Sequence, residues 1–194
     1  MAAITRDSLL TLEGYARARA QFRSEVLEHK RTRTVSVGPN VTLVFEDELT
    51  MRYQVQEMLR AERIFEESGI QDELDAYNPL IPDGSNWKAT MLIEYPDSEE
   101  RRRMLAVLVG IEKRVWVRVQ GYSPVYAIAD EDLERTTGEK TASVHFLRFE
   151  LGPDMVVQLR KGAELGIGID HEYYGYTVGR VEEGTRLSLL RDLS

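Results

Sequence analysis

A chain of 194 residues with 42% hydrophobic and 30% charged residues can bury a substantial core as a single domain, 1–194. Its formal charge of -8 argues against a broad nucleic-acid-binding surface. The absence of cysteine excludes a disulfide framework, a cysteine-ligated iron-sulfur centre and a thiol nucleophile. No apolar run approaches the length of a bilayer-spanning helix, and the first residues lack the basic-then-apolar layout of a secretion signal. A cytoplasmic protein without a membrane partner is therefore expected.

In chain order, Thr5 to Leu10 reads as a short helix start. Tyr15 to His29 then has helical spacing, with Tyr15, Ala18, Phe22, Val26 and Leu27 on one face. The basic cluster from His29 to Arg33 reads as a solvated helix end whose cations suit the negative end of the dipole, closing a candidate N-terminal helical lobe at 1–33. Gly38-Pro39 divides two strand candidates, Thr34 to Val37 and Asn40 to Glu46. The period changes at Thr50: Met51, Val55, Met58, Leu59 and Phe65 recur at helical spacing, and Gly69 is the expected stop.

Glu62 falls near the centre of that apolar stripe, with Glu66 one turn on. A carboxylate buried there needs a cation, a donor or a metal, so an ion pair with Arg52 or Arg63 and a ligand contact both stay open. The opposite face carries Tyr53, Glu57, Arg60 and Ile64. Glu57 and Arg60 can pair there, with room for a partner or a second packed layer.

Ile70 to Tyr77 forms a further short helix, and the proline-containing stretch Asn78 to Asn86 a shaped loop before a strand from Trp87 to Tyr95. Asn78, Asn86 and Trp87 suit a polar pocket rim, Trp87 equally a core cover. A helix spans Glu99 to Val109, with Ser98 as cap and Gly110 as stop. The remainder reads mainly as strand: Val115 to Val119, Tyr122 to Ala129 with an edge-favouring Pro124, Ser143 to Leu151, Met155 to Leu159 and Tyr176 to Val181. Asp130 to Lys140 is a polar connection, and Thr185 to Leu193 is helix or strand. The expected fold is α+β: a mostly antiparallel sheet or partly open barrel with several helices packed at one side.

Two imidazoles and one carboxylate suit a non-haem metal, so His145, His171 and Glu62 are a candidate site for iron, manganese or zinc. No spacing motif supports it. Glu57 and Glu66 are the other carboxylates available to such a site. Asp170 and His171 lie in a glycine- and tyrosine-rich stretch, but no serine elbow accompanies them, and no dinucleotide or phosphate loop is present. Arg52, Tyr53, Glu57, Arg60, Asn86, Trp87 and Asp170 complete the candidate pocket and interface residues.

Four blocks carry a family resemblance: ITRDSLLTLEGY, VTLVFEDELTMRYQVQEMLRAERI, NPLIPDGSNWKATMLIEY and the GIGIDHEYY region. Together they resemble the bacterial domain-of-unknown-function family 3501. The resemblance implies a setting among rubrerythrin-like and iron-sulfur redox proteins, with no catalytic assignment. The expected function is a soluble accessory protein in a redox or oxidative-stress context that binds a transition metal through carboxylates and histidine. One alternative is a non-catalytic assembly module that meets a protein partner or forms a homo-dimer. A third reading is nucleic-acid binding through His29 to Arg33 and Arg101 to Arg103.

Overall fold

The structure is a computed structural model that describes residues 3–131 and 135–194; residues 1–2 and 132–134, the latter inside the polar connection, lie outside it. Along the chain run α1 (Leu12–Arg31), β1 (Thr34–Ser36), β2 (Val41–Glu46), α2 (Glu48–Glu62), α3 (Glu67–Tyr77), β3 (Asn86–Ile93), α4 (Ser98–Val107) and β4 (Val115–Val119). They are followed by β5 (Val125–Tyr126), β6 (Ile128–Ala129), β7 (Val144–Glu150), α5 (Pro153–Arg160), β8 (Leu165–His171), β9 (Tyr174–Val178) and α6 (Glu183–Leu190). Two antiparallel sheets result, ordered β1-β2-β3-β7-β6 and β5-β4-β8-β9. The α+β expectation therefore holds.

Strict alternation sets which face of each sheet is buried. In the first sheet Leu43, Met91 and His145 share one row, and Phe45, Ala89 and Leu147 the next. In the second, Val115 faces Ile169, Val117 faces Ile167 and Val119 faces Leu165. The apolar members of both sets belong to one core cluster, so the sheets pack face to face. The chain changes sheet at Ala127, whose N–H donates to the Val115 carbonyl at 2.8 Å. At another edge the Tyr174 hydroxyl donates to Val37 O and accepts from the Asn40 N–H, each at 2.9 Å. The sheets thus meet at two places without forming a continuous ladder.

The helices α1, α2 and α3 form a lobe with its own core, including Ile4, Leu9, Met51, Val55, Leu59, Ile70 and Leu74. Two side-chain amides tie the N-terminal segment to it. Gln56 pairs with both backbone groups of Leu10, and Asn78 pairs with both of Ile4. The lobe lies over the outer face of the five-stranded sheet.

Several elements differ from the sequence reading. Helix α2 stops at Glu62, because Arg63 adopts a left-handed conformation (φ 58°) and the Ile64 N–H turns back to Leu59 O at 2.9 Å. Gly69 consequently lies inside α3, and Phe65 is 71% exposed. The Met155 to Leu159 strand is instead α5: Pro153 supplies a preset first helical residue, and five apolar-rich residues are too few to fix the period. The strand expected over Tyr122 to Ala129 is split between the two sheets, and Asp97, not Ser98, caps α4 through the Glu100 N–H. The last strand runs over Tyr174 to Val178, and Thr185 to Leu190 belongs to α6.

Candidate ligand-binding cleft

The outward positions of the five-stranded sheet are Glu46, Lys88 and Arg148 in one row and Val44, Thr90 and Phe146 in the next. The helical lobe covers these rows incompletely. Between them lie two adjoining hollows that share Leu80 and Phe146, one of about 420 Å³ and one of about 270 Å³. The larger is lined by Pro79, Lys88, Glu131 and Arg148 in addition to the shared pair. The smaller has Glu46 and Thr90 on the strands, Met51 and Gln54 on α2, Tyr77 at the end of α3, and Lys30 from α1.

The polar groups differ sharply in how they are satisfied. Glu46 is 4% exposed; its Oε1 accepts from the Thr90 hydroxyl at 2.6 Å, while its Oε2 is buried without a hydrogen-bond partner. Buried carboxylate oxygens are seldom left unpaired, since forgoing the bond costs about 1–3 kcal/mol or more. Arg148 is fully engaged, with Glu131 taking a forked pair of bonds at 2.7 Å each and Glu150 a third. Lys88, beside it, forms no hydrogen bond or ion pair among the described residues. Burial and then the neighbouring Arg148 charge push its ammonium below the usual lysine range. Burial likewise pushes the Tyr77 phenol up.

The residues singled out from sequence are placed elsewhere. His145 lies on the inner face of β7, with Nδ1 2.6 Å from Asp130 Oδ2 and Nε2 2.8 Å from Thr141 Oγ1. His171 lies at the end of β8; its Nδ1 accepts from the Tyr173 N–H at 3.3 Å and its Nε2 lies 3.2 Å from Val109 O. Glu62 is exposed as the last residue of α2, one position before the left-handed Arg63 that ends the helix. Among the described residues no group of three or more histidines, aspartates and glutamates is arranged to hold a metal. Glu62, His145 and His171 are three separate environments.

The remaining candidates are structural in their contacts. Trp87 points into the main core and donates to Leu189 O at 2.9 Å, while Asn86 Nδ2 bridges Asp83 and Glu150. Asp170 accepts from the Tyr126 hydroxyl at 2.6 Å and has Arg114 Nε at 3.0 Å. Arg52 pairs with Glu48 and lies over the Phe22 ring, and Tyr53 meets the same ring edge-on. The second layer against the Tyr53 face is thus α1 of the same chain. Glu57 has the pairing expected with Arg60 at 3.5 Å, joined by Tyr15 and a forked Arg19 at 2.7 and 2.8 Å.

Arg19 above all holds the Glu57 carboxyl down, at about 2 against its ordinary 4.5. A lowered carboxylate contributes stability above its unfolded value and loses it as pH falls through the folded one. Acid unfolding is therefore expected to draw on this site between about pH 4.5 and 2. In Glu57→Gln that part of the pH dependence should disappear, with about 1–2 kcal/mol lost at neutral pH. Urea midpoints measured from pH 7 to 2 on both proteins check it; parallel curves would contradict the assignment.

Residues 3–193 match the family model described as "Protein of unknown function (DUF3501)". The chain belongs to this family. A solved structure from Burkholderia pseudomallei K96243, described as a novel protein of unknown function, is similar to it at 57% identity and a TM-score of 0.95, with all of both chains covered. A search of curated proteins returns no match. The solved structure shares the fold of this chain, and neither description names an activity. Sequence reading missed Glu46, Lys88, Thr90 and Arg148, because only the strand register and the placement of the lobe bring them together. The one available signal was the pair of charges, Lys88 and Arg148, in the middle of two mainly apolar strands. Among the described residues no helix is long and apolar enough to cross a membrane.

Proposed function

We propose that the protein is a binding accessory, and that its cleft takes up a small amphipathic molecule presenting an N–H donor. The observation that carries this reading is Glu46 Oε2, buried without a hydrogen-bond partner among the described residues, on a side chain that lines one hollow together with Val44, Met51, Leu80, Leu92 and Phe146. Apolar walls with a few placed polar groups are the ordinary chemistry of a small-molecule site. A ligand N–H reaching Glu46 would form a charge-assisted bond and relieve its unpaired state, while the apolar body displaces water from the walls.

A redox or oxidative-stress setting rests on the family resemblance alone and is compatible with such an accessory. Among the described residues no donor set is assembled that would support transition-metal binding. The protein-partner reading has less of its expected face available, since α1 packs on Tyr53 and Ile64, partly buried, packs against the lobe core. For nucleic-acid binding, the charge of -8 is adverse and Arg33, the end of its basic cluster, is buried.

Benzylamine and benzamidine titrated into the protein, followed by amide chemical-shift changes, test the proposal. Saturable shifts in β2, β3 and β7 are expected, and Glu46→Gln should weaken binding at least about tenfold while the fold persists. Binding that ignores Glu46→Gln, or no saturable response, would overturn it.

A further inference from the structure

We infer that the ligand is a zwitterion, with an amine at Glu46 and a carboxylate or similar small anion at Lys88, joined by a short apolar chain. This rests on the reading of the cleft as a ligand site and specifies what occupies both of its halves. Among the described residues three groups on side chains that line the two hollows make no hydrogen bond or ion pair: Glu46 Oε2, and the ammonium groups of Lys30 and Lys88, the last with Glu131, Asp83 and Glu150 acting on it at longer range. Arg148 is not among them, because Glu131 and Glu150 already hold its guanidinium.

The charges decide between ligand classes. A simple alkylamine would satisfy Glu46 but leave Lys88 unpaired; the like charge of Lys30 in the same hollow weighs equally on any amine there. A simple carboxylate would pair with lysine and leave Glu46 Oε2 as it is. Only a molecule carrying both groups completes both ends.

The spacing agrees. Glu46 and Lys88 occupy facing positions on neighbouring strands, and Leu80 and Phe146 wall both hollows. Strands lie about 5 Å apart and the two side chains reach into different hollows, so the charged ends stand roughly 5–10 Å from each other, the reach of an ω-amino acid of about five or six carbons. Leu80 and Phe146 would flank its methylene chain.

Three matched probes, aminohexanoate, hexylamine and hexanoate, titrated calorimetrically into the full chain, test the inference. Aminohexanoate is expected to bind at least about tenfold more tightly than either relative, the increment of one charge-assisted bond. Lys88→Met should bring it down to the level of hexylamine and leave hexylamine itself unchanged, while Glu46→Gln should weaken both. Hexylamine binding as tightly as aminohexanoate would overturn the zwitterion and leave the donor-binding cleft standing. Hexanoate as the tightest probe, indifferent to Glu46→Gln, would overturn both, as would absence of binding by all three.

Discussion

Asp192→Ala is expected to destabilise the protein by about 3–5 kcal/mol, because it strands a buried arginine. Arg33 is 1% exposed and spends its guanidinium on five acceptors. Two are the carboxylate oxygens of Asp192, at 3.3 and 2.5 Å, and three are the carbonyls of Phe45, Glu46 and Ser188. Asp47 approaches its Nε at 3.4 Å and also pairs with His29 at 2.5 Å, while its Oδ1 caps α2 through the Thr50 N–H. One side chain therefore joins the end of α1, the end of β2, the start of α2 and the C-terminal segment. Within the pair, burial pushes the Asp192 carboxyl up despite the pull of Arg33. Replacing both ions by apolar residues, Arg33→Met with Asp192→Leu, removes the stranded charge but still leaves three carbonyls without their donor. The double variant should accordingly recover only part of the loss. Urea unfolding of the single and double variants measures this, and the emission of Trp87, bonded to Leu189 on α6, reports release of that helix. A cost of Asp192→Ala below about 1 kcal/mol, the range of surface pairs, would contradict the account.

What was legible in the sequence follows what local pattern can carry. The alternation of Val41, Leu43 and Phe45, and of His145, Leu147 and Phe149, gives both the strands and their inner faces, because period two needs no partner to be read. The family blocks likewise pointed to the family that the chain belongs to. Glu62 was misplaced because the phase of a helix says nothing about where its last turn ends, and Arg63 is a residue that seldom takes the left-handed cap. Arg33 was read as solvated since it follows a basic helix end; its burial depends on Asp192, 159 positions away. The cleft was the least legible part. Glu46 reads naturally as one of three acids at a helix start, and nothing local reveals that Thr90 and the helical lobe enclose it.

Gly168→Ala is expected to be the most damaging single-methyl change in the second sheet. Gly168 and Trp116 are paired residues on β8 and β4, so their side chains leave the sheet on the same, outer side. The indole lies across the glycine: an added Cβ would sit 2.2 Å from Trp116 Cζ2, 2.6 Å from Cε2 and 2.8 Å from Cη2. Those are rigid ring atoms, so the clash cannot be relieved by bending a flexible chain end. The ring is buried and carries the Arg118 guanidinium 5.4 Å from its centroid, so turning it out exposes apolar area and loses that contact. The alternative is to push β8 from β4 in the middle of the sheet. Either course costs about 3 kcal/mol, near the upper end for overpacking. The two sites must then be strongly coupled: in a Trp116→Val background the same alanine meets no ring, and its cost should fall below about 1 kcal/mol. Denaturation of the four proteins in this cycle measures the coupling directly. Additive losses would mean that the indole does not dictate glycine at this position.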